Sequence, residues 1–111
     1  MKTRIAVLAL LLLSVGSYAL AVCPGTLEIL TEGLPMGFEN EPYYADLEAW
    51  GGTPPYKWSI FSGSLPPGLT LNPCTGEITG TPTQTGYWTV CIRLTDSAGC
   101  TRTQCFEIYV V

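Results

Sequence analysis

Five cysteines, nine carboxylates and no histidine define the chemistry open to this chain of 111 residues. Without histidine the commonest general base is missing, and with it the usual activator of a serine or cysteine nucleophile. Glu39, Glu41, Asp46 and Glu48 are the carboxylates from which a glycosidase-type pair would have to be drawn. The first two lie in a stretch broken by Gly and Pro, and the other two alternate with apolar residues, so a solvated acidic face accounts for all four. No residue is therefore assigned a catalytic or cofactor-binding role. The cysteines form no C-x-x-C pair and have no histidine to join them, which argues against a zinc site and for disulfides.

All five cysteines, Cys23, Cys74, Cys91, Cys100 and Cys105, follow an N-terminal export pattern. Lys2 and Arg4 precede the uncharged apolar run Ile5–Val15, which is short for a bilayer-spanning helix of about 20 residues. Ala19-Leu20-Ala21 then gives the A-x-A pattern of a signal-peptidase site. The expected organisation is a signal peptide over 1–21, cleaved after Ala21, and one domain over 22–111, secreted or held at the cell surface. Val22 is too large for the small residue that bacterial lipid-attachment sites place before the cysteine, so no lipid anchor is expected at Cys23. No transmembrane helix is expected after cleavage.

After cleavage, Lys57, Arg93 and Arg102 are the only basic residues facing the nine carboxylates. Affinity for nucleic acid comes largely from clustered Lys and Arg neutralising phosphates, so a nucleic-acid partner is excluded.

The elements that must position these residues are strands. Leu27 and Ile29 share one face of a first strand over Cys23–Leu30. Tyr43–Trp50 alternates Tyr43, Ala45, Leu47 and Ala49 against Tyr44, Asp46, Glu48 and Trp50. Tyr56, Trp58 and Ile60 repeat the pattern over Tyr56–Phe61. The strongest alternation is Tyr87–Thr95, with Trp88, Val90, Ile92 and Leu94 inward, followed by Thr101–Val110 with Phe106, Ile108 and Val110 inward. Pro66-Pro67 forbids a helix over Ser64–Leu71, so that segment crosses between sheets in extended form, with Leu65, Leu69 and Leu71 inward. Asn72–Gly76 reads as a tight turn before a brief strand over Glu77–Thr81. Seven short strands with turn signals between them predict an all-β, antiparallel immunoglobulin-like β-sandwich.

Asp96-Ser97-Ala98-Gly99-Cys100 fits a three-residue hairpin loop with Gly99 left-handed, which pairs Asp96 with Cys100. Constant register then sets Cys91 opposite Cys105, where a cross-strand disulfide is sterically reasonable. For the rest two arrangements stay open: Cys23 with Cys100, leaving Cys74 free, or Cys74 with Cys100 if Cys23 carries a lipid.

GGTPPYKWSI, GSLPPGLTL, TGEITGTPTQTGYWTV and LTDSAGC together resemble the immunoglobulin-like domain family of He_PIG type, found in bacterial surface and secreted proteins and itself similar to cadherin-like domains. The resemblance covers roughly 34–111. It implies the same sandwich, an extracellular setting and a spacer or adhesive role. The family keeps Gly where Asn40 stands here, and Asn also tolerates left-handed backbone. Cys74, Cys91 and Cys105 lie outside the family pattern. The resemblance also raises calcium as the alternative reading, since Asp96 lies where cadherin-like domains keep an aspartate, with Glu39 and Glu41 as candidate co-ligands. The Asp-x-Asn-Asp-Asn run of cadherins is missing, and a turn aspartate bonding its own backbone accounts for Asp96 without a cation.

Tyr44, Trp50, Tyr87 and Tyr109 fall on the outward parity of their strands. Rings on an outer sheet face can stack a sugar or anchor a protein, and they can equally shield neighbouring strands. The expected function is a non-catalytic exported module contacting an extracellular protein or glycan or giving structural support.

Overall fold

The computed structural model describes residues 26–111, which carry eight strands. They are β1 (Glu28–Ile29), β2 (Tyr43–Asp46), β3 (Ala49–Trp50), β4 (Lys57–Gly63), β5 (Leu69–Leu71), β6 (Glu77–Gly80), β7 (Gly86–Thr95) and β8 (Thr101–Val110). The expected signal peptide and cleavage site, and Cys23, lie outside the described residues.

Two three-stranded sheets run β8-β7-β4 and β5-β6-β2, and β1 pairs with β3 in a two-stranded ladder, all neighbours antiparallel. Between the sheets lie Val90, Ile92, Leu94, Ile108 and Val110 from one side and Ile78 from the other, each fully buried. Burying a side chain of this size contributes about 1.5–3 kcal/mol. The alternation read from Tyr87–Thr95 and Thr101–Val110 is the alternation observed, so the expected all-β sandwich stands.

The strand expected over Tyr43–Trp50 is divided, and the reason is a change of partner. The Leu47 N–H donates to Gly76 O at 2.9 Å, so odd positions of this segment bond toward β6. Leu30 N–H donates to Glu48 O at 2.8 Å, so even positions bond toward β1 on the opposite edge. At the changeover the Glu48 N–H turns to the Thr31 hydroxyl. The alternation survives the break: Tyr43, Ala45 and Leu47 are buried, while Tyr44, Asp46, Glu48 and Trp50 are exposed. With β1 pairing Glu28 to Trp50, the second sheet reads β1, then β2 and β3 as one interrupted strand, then β6 and β5.

Ile60 departs from the inward position expected of it and is 41% exposed. It sits on β4, the edge of its sheet, beside a bulge that shifts the register between Ile60 and Ser62. There the two sheets diverge and leave an open groove of about 600 Å³ lined by Trp58, Ile60, Leu65, Pro67, Leu69 and Leu71.

The Gly- and Pro-rich stretch Glu32–Pro42, whose composition reads as a loop, also joins the edge of a sheet. Gly37 pairs in parallel with Val110, its N–H donating to Tyr109 O at 2.8 Å and its carbonyl accepting from Val111 N–H at 3.0 Å. This covers the free edge of β8, the usual remedy for an exposed strand edge. A Cβ at Gly37 would meet the Tyr43 ring at 3.2 Å, a contact tight enough that the ring would have to give by a few tenths of an ångström. Asn40 takes φ 65°, the left-handed geometry expected of it.

Candidate functional site

At the closed end of the β7–β8 hairpin the chain folds around one carboxylate. Asp96 is 6% exposed, and its Oδ1 accepts from the N–H groups of Ala98 at 3.0 Å and Cys100 at 2.8 Å. Its Oδ2 accepts from Thr53 N–H at 3.0 Å, which ties the loop after β3 to the hairpin tip. Ser97 reinforces the tie, its N–H donating to Thr53 O at 2.9 Å. These donors, Thr53 first, hold the Asp96 carboxyl below its ordinary pKa, against the opposing effect of desolvation. The carboxylate is thus a structural pin, its two oxygens facing N–H donors.

The calcium set of the alternative reading, Asp96 with Glu39 and Glu41, is not assembled. Glu39 donates its N–H to Val111 O beyond the far end of β8, and Glu41 donates to Phe38 O in the adjoining turn. The ten residues of β8 separate them from Asp96, on the order of 30 Å of strand. Among the described residues no three His, Cys, Asp or Glu side chains converge.

Cys91 and Cys105 form the expected cross-strand disulfide. Cys74 is exposed with a free thiol, which removes the Cys74–Cys100 alternative. Cys100 is disulfide-bonded, and the partner expected for it, Cys23, lies outside the described residues.

The four outward aromatic residues do not share one surface. Tyr87 and Tyr109 stand opposite each other on β7 and β8 and stack with ring centroids 4.3 Å apart and planes at 16°. Tyr44 and Trp50 lie on the outer face of the other sheet, 58% and 59% exposed. Tyr44 donates its hydroxyl to Glu77 Oε2 at 3.3 Å. Partial desolvation, then the carboxylates of Asp46 and Glu77, push its phenol above the ordinary range.

Sequence reasoning missed three relationships. Phe61, 55% exposed, carries the Arg93 guanidinium 4.1 Å from its ring centre. Asp46 stands directly opposite Glu77. Thr53 binds Asp96 from 43 residues away. For the last, the Asp-x-x-Gly spacing signals the Asx turn, while the Thr53 contact has no local signal.

The groove between β4 and β5 has no titratable side chain in its lining. Among the described residues no helix is long and apolar enough to cross a membrane.

Comparison with protein families matches residues 25–111 to the family described as "Putative Ig domain". Comparison with curated protein sequences finds no match. Among solved structures, the chain is similar to a protein described as a putative alpha-galactosidase from Bacteroides fragilis, with TM-score 0.67 and 25% identity over 77% of this chain and 17% of that one. It is also similar in fold to the extracellular cadherin domains of protocadherin gamma B7, with TM-score 0.66 and 13% identity over 84% of this chain and 26% of that one. The human desmocollin-1 ectodomain matches with TM-score 0.62 and 14% identity, over 87% of this chain and 22% of the other. The chain thus spans about a quarter or less of each of these structures.

Proposed function

The chain belongs to this Ig-domain family, and we propose that it is a non-catalytic exported module that contacts an extracellular protein or glycan through its outer sheet faces. The observation that carries the reading is the exposure of large rings on a packed sandwich, Tyr87 at 71% and Trp50 at 59%. Such rings supply contact area at little conformational cost, because the strands beneath them already fix their backbone.

The alpha-galactosidase likeness extends over 17% of that protein, which suits an accessory module of a larger assembly. Export fits the N-terminal pattern of residues 1–21 and a disulfide between Cys91 and Cys105, since such bridges persist in oxidising compartments.

The test is a paired screen of the secreted protein on a glycan array and in pull-downs from extracellular material, with Trp50→Ala, Tyr44→Ala and Tyr87→Ala variants alongside. Retained ligands lost in one or more variants support the reading. Retention unchanged in all three takes contact off both outer faces.

A further inference from the structure

The three basic residues of the described chain all belong to one sheet: Lys57 to β4, Arg93 to β7 and Arg102 to β8. The outer face of the other sheet carries carboxylates. Asp46 on β2 and Glu48 in the break between β2 and β3 are exposed there, on the same alternate positions as Tyr44 and Trp50. Glu28, also exposed, is the direct cross-strand partner of Trp50, and Glu77 is the direct partner of Asp46. Two exposed aromatic rings are therefore interleaved with four carboxylates; Arg102 of β8 reaches the segment before β1, its Nε–H donating to Leu27 O at 2.7 Å, and lines a pocket with Glu28, while β2, β3 and β6 carry no lysine or arginine.

The pairing of Asp46 with Glu77 sets two carboxylates directly opposite one another, with the Tyr44 hydroxyl donating to Glu77 beside them. Because Leu47 bonds to Gly76, hydrogen-bonded pairs fall on odd positions of β2, and Asp46–Glu77 falls on a non-hydrogen-bonded pair. Side chains approach most closely at such pairs, and like charges directly opposite one another destabilise a sheet. A cationic partner lying along the strand would relieve that repulsion and find ring faces beside it, since guanidinium and ammonium groups are attracted to both.

We propose that this face, built on Tyr44, Trp50, Asp46, Glu48, Glu28 and Glu77, docks an arginine- or lysine-rich segment of an extracellular partner protein. The inference rests on the contact-module reading above and names the chemistry of one partner. Its occupant is set by charge complementarity: a neutral glycan would use the rings but leave the carboxylate repulsion in place, and an acidic segment would add to it.

The experiment is titration of the isotopically labelled secreted protein with a synthetic peptide of alternating Arg and Gly, followed by amide chemical shifts. The expected result is a set of shifts confined to residues 28–30, 44–50 and 77–79, weakening as salt rises. Asp46→Asn combined with Glu77→Gln weakens the peptide about threefold to tenfold, in line with exposed ion pairs. Trp50→Ala weakens it by about tenfold, while Glu107→Gln, on the other sheet, leaves it unchanged. A matched Glu-Gly peptide gives no shifts.

Absence of shifts at millimolar Arg-Gly peptide, or shifts confined to β7 and β8, overturns the proposal. Shifts at Tyr44 and Trp50 produced by a neutral oligosaccharide such as cellohexaose, with the Arg-Gly peptide inert, also overturn it. That last outcome leaves the contact-module reading standing. Failure of the glycan and pull-down screen would remove that reading independently.

Discussion

Cys91 and Cys105 sit directly opposite one another on β7 and β8 and are joined by a disulfide, in a register set at the hairpin tip by Asp96 and Cys100. The Asp96 N–H donates to Cys100 O at 3.0 Å, which makes that pair hydrogen-bonded. The cysteines fall on the opposite phase of the ladder, where Cα atoms come closest and a bridge can span. Here a polar turn decides where a covalent bond forms.

Removing that bridge tests its share of stability. With a sequence separation of 14 between the cysteines, closure of the loop in the unfolded chain contributes about 3 kcal/mol. The Cys91→Ser, Cys105→Ser double variant should lose about that much in urea denaturation. A loss under ~0.5 kcal/mol would mean that the register holds the hairpin without help from the bond.

Asp96 should govern the acid limb of stability. Its folded-state pKa is lowered, so its contribution is present above the unfolded value and is lost as pH falls through the folded one. Asp96→Asn should lower the urea midpoint at pH 7 and flatten its fall between about pH 4 and lower values. A variant with the wild-type acid profile would show that other carboxylates set it.

Tyr43 should govern the alkaline limb. Burial pushes its phenol up to about 12 from 10.0, and its hydroxyl donates to Pro35 O at 2.8 Å. The neutral form is the folded one, so its contribution is complete below pH 10.0 and disappears as pH rises toward 12. Tyr43→Phe should lose about 1 kcal/mol at neutral pH for the missing hydrogen bond and show a shallower alkaline decline.

Asp46→Thr should stabilise the domain. It removes a like-charge pair from a closely spaced cross-strand position and places a good strand former there, a gain of about 0.2–1 kcal/mol. Thermal melts at low and high salt separate the two contributions, since only the charge part shrinks with screening. A destabilised variant would show that Asp46 makes a favourable contact of its own.

Calcium should leave the melting curve where chelator leaves it. The Asp96 oxygens already face three backbone N–H groups, and Glu39 and Glu41 stand at the far end of β8. A cation bound only by the folded state would raise the midpoint with its concentration, and such a rise would point to ligands other than this set.

The alternation from Trp88 to Leu94 and from Phe106 to Val110 was enough to name the buried faces of the two longest strands. The Asp96–Cys100 loop was enough to set their register, and through it the disulfide. These are local properties: side-chain parity is a backbone period of two, and a short loop fixes which residues of its own two strands meet. The left-handed backbone at Asn40 was implied by the family resemblance, which keeps Gly at that position, and Asn tolerates it.

What tertiary structure decided is which strands became neighbours. It split Tyr44 and Trp50 from Tyr87 and Tyr109 by sending their strands to different sheets, and it left Ile60 at an open edge. It folded Gly37 back along Val110, set Thr53 on Asp96, and put Asp46 against Glu77 with every described basic residue on the other sheet. None of these carries a local signal, because each depends on contacts between segments far apart in the chain, chosen by how two sheets bury one core.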